Sequence, residues 1–192
     1  MPTHKMYPTL DAYVDSANGL YQIAGQYVTA GVASVAIAID TIWAIPYVTG
    51  REITIDQLVV NVSTAKTSAV IRLGIYDDSG QLAPNSLVLD GGAIDASSTG
   101  IKTAGVSQKL LAGKVYWFAA VAGVSALAPY VRGLASSYGL RPLYHILDAT
   151  TDLTTCYTAS FAYGSLPSTF PTPLTEIDGG TSTPLIGMRV AS

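Results

Sequence analysis

The sequence predicts an all-β fold: a jelly-roll-like antiparallel β-sandwich carrying a short N-terminal arm. Three observations predict it. Apolar residues alternate with a period of two in many short runs, turn signals recur every ten or so residues, and helical spacing is almost absent beyond residue 25. The arm spans residues 1–25 and the sandwich residues 26–192.

In the arm, Pro2, Pro8, Asn18-Gly19 and Gly25 interrupt the chain. Leu10, Tyr13, Val14 and Ala17 recur at helical spacing, enough for one or two turns. The first strand signal is Val32–Ile39, with Ala33, Val35, Ile37 and Ile39 on one face. Trp43, Ile45 and Tyr47 share a face of the next run, where Pro46 predicts an edge or a bulge. In Ile53–Val62 the large apolar residues move from odd positions (Ile53, Ile55) to even ones (Leu58, Val60, Val62). A β-bulge near Asp56-Gln57 would restore the register.

Ala69–Tyr76 is the clearest strand, with Ile71, Leu73 and Ile75 facing one way and Arg72 and Tyr76 the other. Asp77-Asp78-Ser79-Gly80 then reads as a turn. Leu87–Leu89 is a short apolar run closed by Asp90-Gly91-Gly92. Gly105–Leu110 and Lys114–Val121 flank a turn at Ala112-Gly113. The second of these has large apolar residues on both faces, the mark of a strand buried on two sides. The last third is rich in loops, with Pro184–Val190 as its final strand and Ile186 and Met188 on one face.

Only 12% of the 192 residues are charged, mean hydropathy is +0.37 and the net charge is −3. A soluble domain has about 25% charged residues. So sparse a polar exterior predicts that other chains cover much of the surface. The composition excludes a disordered chain. The mild acidity without Lys/Arg clusters argues against nucleic-acid binding, which rests on phosphate neutralisation. The lone Cys156 excludes an internal disulfide framework and fits a reducing compartment. The N-terminus lacks the apolar region of a signal peptide. The most apolar stretch, Val115–Val131, is short of the roughly 20 residues a span needs and is broken by Pro129, so no membrane association is expected.

Residues that could carry chemistry are few. His4 and His145 cannot supply a three-histidine metal site, and no P-loop or nucleophile elbow is present. Asp77, Asp78, Asp90 and Asp95 could gather as a calcium cluster, but aspartates in turns commonly satisfy turn backbone instead. No catalytic residue, cofactor or metal is expected, and the chain does not read as an enzyme. The 12 tyrosines are the candidates for contact. Tyr7 and Tyr13 in the arm, and Tyr138, Tyr144, Tyr157 and Tyr163 in the C-terminal third, offer an apolar ring and a hydroxyl to a subunit interface or to a glycan. Trp43 and Trp117 lie in strand patterns and are expected in the core.

Five segments carry a resemblance: IWAIPYV (Ile42–Val48), REITIDQLVVNV (Arg51–Val62), AVIRLGIYDDSGQLAPNSLVLD (Ala69–Asp90), LLAGKVYWFA (Leu110–Ala119) and YGSLPSTFP (Tyr163–Pro171). Together they resemble the jelly-roll-like β-sandwich domain of tailed-bacteriophage virion proteins, namely head decoration, head fibre and receptor-binding proteins. The likeness covers about residues 26–190 and leaves out the arm. It implies a virion structural protein made in the host cytoplasm and commonly trimeric. Its partners would be further copies of itself and the major capsid protein or other virion proteins. The leading expectation is a capsid decoration or cement protein that stabilises the head lattice. The alternative is a tail- or fibre-tip module that binds host surface polysaccharide through its tyrosine loops.

Overall fold

The strand signals resolve into two antiparallel sheets in the computed structural model, which describes residues 22–23, 32–123, 126–135, 154–178 and 181–191. In chain order the strands are β1 (Gln22–Ile23), β2 (Val32–Ala36), β3 (Thr41–Val48), β4 (Ile53–Thr64) and β5 (Val70–Asp78). There follow β6 (Pro84–Asp95), β7 (Gly100–Leu110), β8 (Val115–Gly123), β9 (Tyr130–Leu134) and β10 (Thr154–Ser160). The chain closes with β11 (Thr175–Asp178), β12 (Thr183–Pro184) and β13 (Gly187–Val190). No described helix is long and apolar enough to cross a membrane.

The six-stranded sheet runs β11-β10-β3-β8-β5-β6. The seven-stranded sheet is built around β4, which pairs with β7 over Ile53–Val62. A strand has two edges, so β13 (at Ile55–Val59) and β9 (at Val62 and Thr64) share the other one. Beyond them lie β1 on β13 and β2 on β9. The first and last described strands are thus laid side by side. Apart from the β5–β6 and β10–β11 hairpins, the connections from β2 to β12 cross between the sheets, as in a jelly roll.

Two apolar layers result. The main core lies between the sheets and joins Ile55, Leu58, Val60 and Val62 of β4 to Ile45, Tyr47, Ile71, Leu73, Ile75 and Phe118. A second core covers the other face of the six-stranded sheet. There Ile42, Tyr76, Trp117, Val121 and Tyr157 pack under Leu166 and Phe170 from the segment after β10. This is why β8 is apolar on both faces: Tyr116 and Phe118 point into the first core, Trp117 and Val121 into the second. Trp43 is buried in the first and Trp117 in the second, as their patterns predict.

The bulge in β4 is where the apolar parity changes. Register shifts between Ile55 and Gln57 on the β7 side, and between Arg189 and Val190 on the β13 side. Asp56 is the irregular residue, so Ile55 and Leu58 both reach the core at 0% exposure.

Several boundaries differ from the sequence reading. Asp90-Gly91-Gly92 does not close a strand; β6 runs through it with a bulge, since Leu73 faces Gly92 and Gly74 faces Asp90. Glycine permits this, with Gly92 at φ 82° and Gly91 tight against Leu58 and the Leu73 carbonyl. The strand beginning at Val32 runs only to Ala36; the Ile37 amide makes one more bond in the same register, to the Pro129 carbonyl, and by Ile39, which bridges to Ala122, the chain has crossed to the other sheet. Pro46 is not on an edge strand. It lies opposite Trp117, past Ala44, where the pairing of β10 with β3 ends, so no partner there asks for its missing N–H. The final strand is split at Leu185-Ile186, where it switches from β9 to β4. Gln22 and Ile23, inside the predicted arm, pair with Met188 and Gly187 at the sheet edge. The helical spacing at Leu10–Ala17 lies outside the described residues.

Candidate interaction surfaces

The outer side of the six-stranded sheet is sealed by residues 161–174, here called the strap. Backbone bonds stitch it to β6: the Leu87 amide donates to Ser168 O (2.9 Å) and the Phe170 amide to Asn85 O (2.7 Å). Two aspartates hold its start. Asp40 accepts from the Phe161 amide through its carbonyl and from the Tyr163 amide through its carboxylate, 2.9 and 3.0 Å. Asp90 accepts the Leu166 amide at 3.1 Å. The Tyr76 hydroxyl donates to Pro167 O at 3.1 Å, and the Phe170 ring stands edge-on to Tyr76 with centroids 5.1 Å apart.

Asp90 is the hub of this face. Arg72 Nε donates to both its oxygens (2.8 and 3.0 Å), and the Gly92 amide adds a third donor. Burial alone would raise the Asp90 carboxyl. Hydrogen bonds from Arg72, Gly92 and Leu166, with the Arg72 charge, outweigh burial and hold it below the ordinary carboxylate range. The same pairing raises Arg72 above its ordinary value. Burial, with the Asp90 charge second, pushes the Tyr76 phenol well above its ordinary value.

Only two of the six candidate tyrosines fall among the described residues; Tyr7, Tyr13, Tyr138 and Tyr144, like His4 and His145, do not. Tyr157 is 5% exposed and packs on Trp117 with centroids 5.4 Å apart. Its ring belongs to the second core rather than to an outer contact surface. Burial, then the charges of Glu176 and Asp78, raises its phenol. Tyr163 is half-buried and lies over Gly123, where any Cβ would strike its ring. The two are not brought together as one site: Tyr157 belongs to β10, whereas the Tyr163 amide is tied to Asp40 and its ring lies over Gly123.

The aspartates considered for calcium are each engaged by the protein. Asp77 accepts the Ser86 amide, and Asp78 accepts Trp117 Nε1 and the Gly80 amide. Asp95 accepts the Ser97 amide. Among the described residues no group of three His, Cys, Asp or Glu side chains could hold a metal ion.

The outer face of the seven-stranded sheet is built differently. Asn61 lies beside Ile101, and Val59 beside Thr103. Ser34 lies beside Arg132, and Ser34 and Ser63 share a hydrogen bond of 2.5 Å. Ile101 is 58% exposed and Tyr130 37%. Charges here are Lys109, ion-paired to Glu52 at 2.7 Å; Arg189, bidentate to Asp56 at 2.8 Å; and the exposed Arg132. The Arg189 hydrogen bond, more than its charge, holds Asp56 below the ordinary range. No family model matches the chain, and no curated protein is similar to it. The sequence reading passed over the cations of this face. The signal was a lone cation inside each apolar strand, Arg132 in YVRGL and Arg189 in GMRV.

Proposed function

We propose that this chain is a structural protein of a bacteriophage virion, one that decorates or cements the head lattice through contacts with itself and with the major capsid protein. The observation that carries this reading is the mismatch between composition and exterior. With 12% charged residues and a mean hydropathy of +0.37, the chain has little polar surface to spend. The six-stranded sheet uses both of its faces in the chain's own cores. The seven-stranded sheet offers a face of small polar side chains with Ile101 and Tyr130 exposed. The resemblance of residues 26–190 to phage virion domains points the same way.

The mechanism is adhesive. Each contact buries apolar surface worth roughly 25 cal/mol per Å² before the cost of association. Many such contacts, repeated over a lattice, add by avidity. The test is add-back of recombinant chain to phage heads stripped of their accessory proteins. Saturable, symmetric occupancy with a raised head-disruption temperature is the expected result. A chain that leaves the heads bare at every concentration overturns the reading.

A further inference from the structure

The seven-stranded sheet ends on β7, whose 11 residues pair with β4 along one edge. Among the described residues no backbone bond leaves its other edge. Such an edge is a template on which another strand can continue the sheet. The core-facing row of β7 follows from its partners on β4. Lys102 lies beside Val60, Ala104 beside Leu58, Gln108 beside Ile55 and Leu110 beside Ile53, and all four partners are buried between the sheets. Lys102 and Gln108 are therefore polar side chains on the inner face of an edge strand, both half-buried, whereas Ile101, Thr103 and Lys109 are exposed on the outer face. Each inner polar group is engaged locally: Lys102 Nζ bonds Ser98 Oγ at 2.6 Å, and Gln108 Nε2 donates to Lys109 O at 2.9 Å. That carbonyl points to the open edge. Thr54, opposite Lys109, gives its own carbonyl to the amide of Ala191, just past β13. Facing residues of an antiparallel pair that do not bond each other turn their N–H and C=O outward, so those of Lys109 leave β7 away from β4. The edge is also bulged, since Val106 and Ser107 together oppose Asp56 between the Gln57–Gly105 and Ile55–Gln108 pairs.

We propose that Lys102 and Gln108 close the β7 edge to strand addition, so that a second copy of this chain does not extend the seven-stranded sheet by laying its own β7 alongside. An added strand would carry the space between the sheets outward over this rim. The Lys102 ammonium would then be taken out of water, a cost that opposes the backbone bonds gained. In the symmetric antiparallel register about Gly105, Lys102 of each copy would face Gln108 of the other on the core side, so the cost falls twice. Gln108 adds a second obstacle, because the Lys109 carbonyl that an incoming strand needs already has a donor. A lysine on the outer face, such as Lys109, would stay in water and oppose nothing. Copies of the chain then meet through faces and loops rather than through one continuous sheet. A closed edge of this kind is independent of what the assembly coats.

The test places strand formers at both positions, Lys102→Val with Gln108→Val, in the full chain. Sedimentation velocity over a concentration series reads association, and quenched amide exchange at Lys109 reads the edge itself. In the parent the Lys109 amide should exchange fast at every concentration. The double variant should associate at least about tenfold more tightly, and its Lys109 amide should slow as it does so. Lys109→Val makes the same substitution on the outer face of the same strand, and Lys102→Arg keeps the inner charge; both should sediment like the parent. Lys102→Thr carries the same expectation as the double variant and replaces it if the double variant loses the parent's circular dichroism spectrum. Four results would each overturn the proposal: a double variant that sediments like the parent, association that leaves the Lys109 amide fast, a parent assembly that protects that amide, or Lys109→Val or Lys102→Arg associating as tightly as the double variant.

Discussion

Asp90 is the residue on which most of the outer layer depends, since it accepts from Arg72, Gly92 and Leu166 at once. Its folded pKa is depressed relative to its ordinary value. The stability it contributes is therefore present above the unfolded pKa of about 3.9 and is lost as pH falls through the folded pKa. Asp90→Asn removes the charge and keeps the shape. Thermal melts at pH 7 should show a loss of about 1–2 kcal/mol, the scale of hydrogen bonds to a charged group partly screened by solvent. Between pH 5 and the acid limit the variant should lose less stability than the parent, so the two melting curves converge. Parallel curves over that range would show that the Asp90 charge does not matter. Asp95 is held low mainly by Ser97 and is fully exposed, so it adds little to this window.

Among elements, the strap is the least orthodox and the easiest to probe. Phe170 is 3% exposed and Leu166 6%, and both cover the aromatic floor of Tyr76, Trp117 and Tyr157. Phe170→Ala removes the buried ring that stands on Tyr76, which should cost about 3–5 kcal/mol. Amide exchange at Leu87 and Phe170, the stitches between β6 and the strap, should rise more than at Ile45 or Leu73 in the main core. Equal acceleration everywhere would mean that the strap has no local identity. The strap also marks how far the sequence could be read. Alternation gave β4, β5 and β8 with their faces, and the parity change in β4 located the bulge at Asp56. The strap has no period, because its backbone bonds go to single positions on β6 and to side-chain carboxylates rather than to a ladder. Gly91-Gly92 misled for a related reason: positive φ serves a bulge as well as a turn, and only the partner strand distinguishes them. The tyrosines illustrate the same limit at the site. Residue type nominated Tyr157, but its place over Trp117 depends on β10 pairing with β3, a contact between distant parts of the chain.

At the scale of the molecule, one sheet is the shared wall of two cores, and this fixes how the chain should unfold. β3, β5 and β8 send alternate side chains into both layers, so neither core can come apart without disturbing strands the other needs. The two tryptophans report the two layers separately: Trp43 in the core between the sheets, Trp117 in the layer under the strap, hydrogen-bonded to Asp78 at 2.9 Å. The Nε1 of Trp43 is buried without a partner, so Trp43→Phe removes no hydrogen bond. Trp117→Phe removes one and should melt at the lower temperature. Within each single-tryptophan protein, the fluorescence transition should coincide with the far-ultraviolet circular dichroism transition, as a single cooperative unit requires. If the Trp117 signal, followed in Trp43→Phe, changes well before the sheet signal, the strap layer is a separate unit laid on a sandwich that stands without it. The apolar floor of Trp117, Tyr76 and Tyr157 would then be a surface the chain can uncover, and the assignment of both faces of the six-stranded sheet to the chain's own cores would have to be withdrawn.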